Sequence, residues 1–152
     1  MIIVVDNREQ HPFTFQGIKP SKEAPAPKIV NGTLHTGDYS LQGYEDLITI
    51  ERKSLVDLYS TFGKGRERFE RELERMSHMK FAGVAIEAGW DEILNRPPSR
   101  SKLPPKVIFV SITVWEQRYG VHFWPCENRE LAERKTYRAL ERFWRDMRDG
   151  KQ

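Results

Sequence analysis

Residues 50–54 read IERKS and follow directly on the apolar, β-branched stretch Leu47, Ile48, Thr49. A strand that enters a core in this way should end on a turn, yet here an acid, an arginine and a lysine stand side by side. Side chains alternate across a strand, so Glu51 and Lys53 share one face about 7 Å apart and Arg52 lies on the other. A carboxylate and an ammonium placed together can hold a cation and orient a water beside it. The same charges would also suit a strand emerging into solvent. The choice turns on what else reaches that face.

Upstream, TLHTGDYSL (33–41) and DLITIE (46–51) read as two strands around the turn-rich QGYED, which predicts a hairpin. If its loop is Gly43–Asp46, then Gln42 stands opposite Leu47, Ser40 opposite Thr49, and Asp38 opposite Glu51. Directly opposed residues have Cβ atoms about 4.5–5.5 Å apart, and like charges at that distance destabilise a sheet. A Mg²⁺ ion between them, with carboxylate oxygens at about 2.1 Å, would remove the repulsion. A slip of one residue would send the two acids to opposite faces. Two exposed acids near a strand end remain the alternative at this point.

Asp38 followed by Glu51-x-Lys53 has the acid…(D/E)xK form of metal-dependent nucleases, in which carboxylates bind the metal and the lysine serves the attacking water. An ExK triplet alone is weak, but its surroundings are specific. GDY at Gly37–Tyr39, ERK at Glu51–Lys53 and Asp57 beyond them resemble the signature of the XPF family of structure-selective DNA endonucleases. VDNRE (5–9) resembles the family's first-strand motif, and GKGRERF (63–69) its arginine-bearing stretch. The resemblance follows the element order over roughly residues 2–147, with its strong motifs between Val5 and Arg68.

The resemblance implies an α/β fold: a three-layer α/β/α restriction-endonuclease-like sandwich with a central mixed sheet. It implies that Asp38 and Glu51 are metal ligands, joined by the backbone carbonyl of Arg52, and that Lys53 serves the nucleophilic water. Asp6 and Glu9 match acids near the metal in relatives, Glu9 for a second ion. The Arg52 side chain, on the opposite strand face, orders the site. Mg²⁺, or Mn²⁺, is the implied cofactor. DNA with branches or single-strand/double-strand junctions is the implied partner, and homodimerisation through the domain is a further expectation. Free-standing versions of the domain are typical of phage and microbial genomes, so repair, recombination or phage replication is the implied setting.

Several residues carry two readings. Asp57 completes Ser54-x-x-Asp57, the spacing of a capping box, and serves either catalysis or the helix N-terminus. Arg8 is an ion-pair partner or a phosphate contact. Arg66 matches a family arginine and is expected at the DNA or the active site. Arg96, Arg100, Lys102 and Lys106 form a basic, proline-rich loop that could track a phosphate backbone or merely stay soluble. Glu67/Arg71 and Arg68/Glu72 have the i,i+4 spacing of a solvated helix face. His11, His35, His78 and His122 show no metal-ligand spacing, and with one cysteine a zinc site is not expected.

The whole chain bounds these readings. Its 152 residues, 38% hydrophobic and 31% charged, predict one soluble domain over 1–152 with a real core. Twenty-five lysines and arginines against 22 acids give +3, which permits a nucleic-acid partner without requiring one. Cys126 alone excludes an internal disulfide and fits a reducing, cytoplasmic setting. The remaining elements are a strand at Ile2–Val5, an exposed connection over 18–29 and helices after Ser54 and Lys64. Then come a strand in FAGVAIEA (81–88), a helix over 106–120, a strand in VHFW (121–124) and a last helix from Asn128 to near Gly150. That helix carries Leu140, Phe143, Trp144 and Met147 as an apolar stripe, a candidate dimer contact. Trp115, Trp124 and Trp144 read as core.

The leading function is a Mg²⁺-dependent endodeoxyribonuclease. The alternatives are a catalytically weak DNA-binding or scaffolding subunit, or a junction resolvase or general nuclease on the same core. Inactive partners lose acids or the lysine, whereas Asp38, Glu51 and Lys53 are all present. The helix–hairpin–helix modules of better-known members are absent from this sequence.

Overall fold

The computed structural model describes residues 1–20 and 26–151. Six strands form one mixed sheet: β1 (Ile2–Asp6), β2 (Lys28–Gly32), β3 (Tyr39–Leu41), β4 (Ile48–Lys53), β5 (Phe81–Ile86) and β6 (His122–Pro125). Their order across the sheet is β2-β1-β3-β4-β5-β6. β1 pairs parallel with β2 and antiparallel with β3; β3 and β4 are antiparallel, while β4, β5 and β6 run parallel. The β4–β5 and β5–β6 parallel pairs need crossovers, which α-helices supply.

Those helices are α1 (Leu55–Phe62), α2 (Arg66–Ser77), α3 (Trp90–Asn95), α4 (Pro105–Tyr119) and α5 (Arg129–Arg148). Local chemistry fixes their ends. The Ser54 hydroxyl accepts the Asp57 N–H ahead of α1, and the Asn128 side chain accepts the Leu131 N–H ahead of α5. α4 opens with Pro105, whose missing N–H costs nothing there, and stops at Gly120 in the left-handed conformation.

Alternation along β4 and β5 sorts the core into two halves. Val84 and Ile86 join Leu58, Phe62, Phe69, Leu73, Ile93, Ile112 and Trp115 on the side of α1–α4. Ile48, Ile50 and Ala85 join Tyr39, Phe13, Phe15, Leu140 and Phe143 on the side of α5. Helices therefore cover both faces, in the expected α/β/α sandwich. Trp115, fully buried, holds the first half together, with its ring centroid 4.6 Å from that of Phe62 and 5.7 Å from that of Phe69. Each such side chain contributes about 1.5–3 kcal/mol by leaving water.

Four details differ from the sequence reading. Lys28–Gly32, partly assigned to the exposed connection, is the edge strand β2; residues 21–25 of that connection lie outside the described residues. The first hairpin strand is confined to Tyr39–Leu41. α3 was not foreseen. The stripe of the last helix packs on the chain's own sheet: Leu140 and Phe143 are buried there, with the partly buried Trp144 and Met147 beside them.

Candidate active site

The sheet's charged end opens into a cleft of about 1230 Å³ whose lining includes Glu9, Asp38, Glu51, Arg52, Lys53, Asp57 and Glu72. The hairpin register places them. Tyr39 pairs with Ile50, the pairing that follows from a Gly43–Asp46 loop. One step on, the Asp38 N–H donates to the Ile50 carbonyl at 3.0 Å, and its carboxylate Oδ2 accepts the Arg52 N–H at 2.7 Å. The side chain of Asp38 is thereby held against the end of β4.

Gly37 makes this approach possible. It has φ +74°, and a Cβ there would lie 2.0 Å from the Thr49 hydroxyl oxygen. The next residue in the motif, Tyr39, is buried, and its hydroxyl accepts the Phe13 N–H at 2.8 Å. GDY thus combines a close backbone approach, an acid and an anchor.

Burial pushes the Asp38 carboxyl up to about 9, and the negative charge of Glu51 adds to the effect. Lys53 donates to Glu51 Oε1 at 2.6 Å, with its ammonium 4.7 Å from the centroid of the Phe69 ring. Burial works to lower the lysine's pKa, but the Glu51 carboxylate outweighs it, with Glu72 and Asp38 adding, so Lys53 stays above the ordinary lysine value. With no cation bound, Lys53 and Glu51 form an ion pair at the strand end.

The opposite face of β4 carries a separate network. The Arg52 guanidinium, 6% exposed, pairs with Glu9 at 3.1 Å and Glu87 at 3.0 Å. Glu87 also meets Arg129, which donates to the carbonyls of His11 and Pro12. Glu9 is drawn below the usual carboxylate range: burial opposes this, but the hydrogen bond from Arg52 prevails. Arg52 thus orders the cleft wall, as its strand face requires.

Not every expected residue reaches the cleft. Asp6 does not line it: both carboxylate oxygens are taken, by the Arg8 guanidinium and N–H and by the Leu34 N–H. Its role is to fasten the chain after β2 to the end of β1. Arg66 is also turned away, donating to Ser111 Oγ and stacking over Trp115, which fixes α2 to α4. Arg96, Arg100, Lys102 and Lys106 lie outside the lining. Arg8, 68% exposed, combines the Asp6 ion pair with a place at the cleft. Asp57 caps α1 through Ser54, whose hydroxyl also donates to Asp57 Oδ2 at 2.6 Å, and lines the cleft as well.

Three residues were missed. Lys64 and Arg68 bring positive charge to the cleft from the α1–α2 connection and the first turn of α2. Glu72, which i,i+4 spacing paired with Arg68 on a solvated face, is turned inward. Burial, then the Glu51 charge, raises its pKa. The available signal was its position one turn beyond Phe69, which the apolar periodicity already placed against the core.

The donors at this end fit a divalent cation. Asp38, Glu51 and Glu72 all act on Lys53, Asp38 and Glu72 also reach the Arg8 guanidinium, and Arg52 is taken up by Glu9 and Glu87. The carbonyl of Arg52 faces the same way. Lys53 and Leu47 carbonyls accept from β5, whereas that of Ile50 accepts from Asp38, so by alternation the Arg52 carbonyl points past β3 toward Asp38. Among the described residues no three acidic, histidine or cysteine side chains form a preformed ligand cluster. Two carboxylates, a carbonyl and retained waters are the set a hard cation such as Mg²⁺ takes.

Residues 5–138 match the ERCC4 domain family. XPF from Aeropyrum pernix has a similar structure, with a TM-score of 0.64 and 19% identity over 93% of this chain and 58% of that one. A second structure, XPF from Aeropyrum pernix in complex with DNA, gives 0.66 and 18% over 93% and 64%. The chain therefore spans about three-fifths of the length of these solved chains. No curated protein matches this chain in sequence. With most of its length matched, and with the sheet order and hairpin described above, the chain belongs to the ERCC4 domain family and has the fold of an XPF-type nuclease domain.

Proposed function

We propose that the protein is a Mg²⁺- or Mn²⁺-dependent DNA endonuclease that hydrolyses phosphodiesters at branched or single-strand/double-strand junctions. The observation that carries this reading is the convergence of Asp38, Glu51 and Lys53 at one strand end, inside an open cleft. Family membership and the likeness to an XPF chain in complex with DNA support nucleic acid as the substrate class.

Asp38, Glu51 and the Arg52 carbonyl would hold the cation. Bound there, it would offset negative charge on the phosphate and polarise the phosphoryl group. Lys53, kept protonated, donates hydrogen bonds that orient the attacking water and face the phosphate oxygens. Asp57 fixes the start of α1 directly after the lysine. Lys64, Arg68 and Arg8 lie where phosphates flanking the cut bond would pass. Their long side chains make contacts that carry no sequence information.

The test is incubation of purified protein with labelled flap, fork, four-way junction, duplex and single-stranded DNA, with Mg²⁺, Mn²⁺ or EDTA. Cleavage of the discontinuous substrates with metal alone is expected. DNA binding without cleavage of any substrate would mark a scaffolding module instead.

A further inference from the structure

We infer that Glu72 is a positioning residue: it holds Lys53 in place once Glu51 is committed to a cation. This rests on the metal-dependent reading above. Without a cation the lysine has an obvious partner, Glu51 Oε1 at 2.6 Å. A divalent ion on Glu51 changes that. It draws on the same oxygens, and its charge repels the neighbouring ammonium. A lysine side chain is long and flexible enough to swing away unless something opposes the repulsion.

What opposes it comes from α2. Residues three apart on a helix are surface neighbours, so Phe69 and Glu72 present themselves together. The ring of Phe69 lies under the Lys53 ammonium at 4.7 Å, a cation–π contact in a partly dry site. Glu72 adds the charge. Its Oε1 accepts the Gly37 N–H at a long 3.4 Å, which turns the carboxylate toward the sheet end that carries Asp38. Besides Glu51, its charge and that of Asp38 both act on Lys53. An aromatic face against the ammonium and a carboxylate one turn further along α2, both lining the same cleft, therefore face the lysine's end of β4. The other polar residues α2 turns inward are spent on α4, Arg66 on Ser111 and Glu70 on the Trp115 indole N–H, whereas Glu72 faces the sheet end.

Glu72→Gln tests this, since it keeps the shape and the acceptor for Gly37 and removes only the charge. Three readouts are combined. The Lys53 ammonium should give a protected ¹⁵N signal in the metal-free protein in both wild type and variant, because Glu51 still holds it. In Mg²⁺ the signal should persist in wild type and be lost to exchange in Glu72→Gln. Mn²⁺ affinity by calorimetry should stay within about threefold of wild type, whereas Glu51→Gln should lose far more. Turnover should fall about 10- to 100-fold, the usual range for an outer partner, with KM for flap DNA unchanged. In a Lys53→Met background the same change should cost nothing further.

A persistent Lys53 signal in Mg²⁺-loaded Glu72→Gln would overturn the inference. So would a loss of Mn²⁺ affinity matching that of Glu51→Gln, which would make Glu72 a ligand, or full additivity with Lys53→Met. The spectroscopic readout does not require cleavage. A wild-type protein that binds Mn²⁺, shows the expected signals and cuts nothing would sink the nuclease reading and leave Glu72's role standing. A wild-type protein that binds no Mn²⁺ would overturn both.

Discussion

The backbone N–H of Arg52 donates to the carboxylate of Asp38 at 2.7 Å, so the first acid of the site is held by the strand that carries the second. Register and chemistry are thereby one property. Any change that slips β3 against β4 removes the hydrogen bond and sends Asp38 to the other face. The site is assembled by two adjacent strands and one helix end, not by distant loops. That is why short motifs could reveal it.

If the proposed cation site is right, Asp38→Asn and Glu51→Gln should each reduce cleavage by roughly a thousandfold, because each would remove a charged oxygen from the cation stabilising the transition state. Circular dichroism should show an intact fold. Rates near wild type in both would remove these residues from the metal site.

The same pair predicts an unusual pH profile for the metal-free protein. Asp38 has its folded pKa raised from the ordinary 3.8 to about 9, by burial first and Glu51 second. A carboxyl shifted upward favours folding while protonated. Its contribution is therefore complete below about pH 4 and is lost progressively as the pH climbs toward 9. In EDTA, thermal stability should fall across that window, and Asp38→Asn should flatten the fall and melt higher at pH 8. A wild-type profile in EDTA that stays level from pH 5 to 9 would contradict the burial argument.

Asp6 should behave in the opposite sense. Burial would raise its pKa, but the Arg8 hydrogen bond and the Leu34 and Arg8 N–H groups prevail and hold it below the usual value. A depressed carboxyl stabilises above its unfolded pKa and loses that contribution in acid. Asp6→Asn should cost about 1–3 kcal/mol at pH 7, where Leu34 and Arg8 lose an ionised acceptor, and much less near pH 2. Equal losses at both pH values would show that its charge is irrelevant.

Arg52→Ala should be inactive for a reason unrelated to catalysis. It leaves the buried Glu9 without its guanidinium and Glu87 with Arg129 alone. Breaking a buried pair in this way costs about 3–5 kcal/mol. Urea unfolding should show a large loss of stability. An Arg52→Ala protein as stable as wild type would return the guanidinium to the list of groups acting on substrate.

How much of this was legible depended on locality. Glu51, Arg52 and Lys53 are contiguous, and strand alternation alone assigns their faces. The Asp38 register follows from one loop length. Ser54, Asn128 and Gly120 announce helix ends by their own chemistry. β2 gave no such signal, because Lys28–Gly32 is an edge strand with no residue fully buried and hence no alternation to read. The placement of Arg66 depended on a partner, Ser111, 45 positions away. Glu72 was read through its i,i+4 neighbour, although its hydrogen bond is to Gly37, 35 positions away. Tertiary packing, not local pattern, decided each of these.

The last prediction concerns where DNA lies. If phosphates run along the cleft, the residues that neutralise them are Lys64, Arg68 and Arg8, which line it, and not Arg96, Arg100, Lys102 or Lys106, which do not. Each phosphate contact releases condensed counterions, so log K falls against log salt with a slope of about 0.9 per contact on duplex DNA and about 0.7 on single strands. Lys64→Ala and Arg68→Ala should each weaken binding of a flap and make the salt slope shallower by about that amount, equally for all sequences. Among the described residues neither side chain makes a hydrogen bond or ion pair that would confuse the result, whereas Arg8→Ala would also release Asp6. Substitutions in the 96–106 loop should leave both affinity and slope unchanged. Fluorescence anisotropy across a salt series measures all of these. An unchanged slope for Lys64→Ala and Arg68→Ala, with a shallower one for Arg100→Ala or Lys102→Ala, would move the DNA path to the α3–α4 side of the molecule.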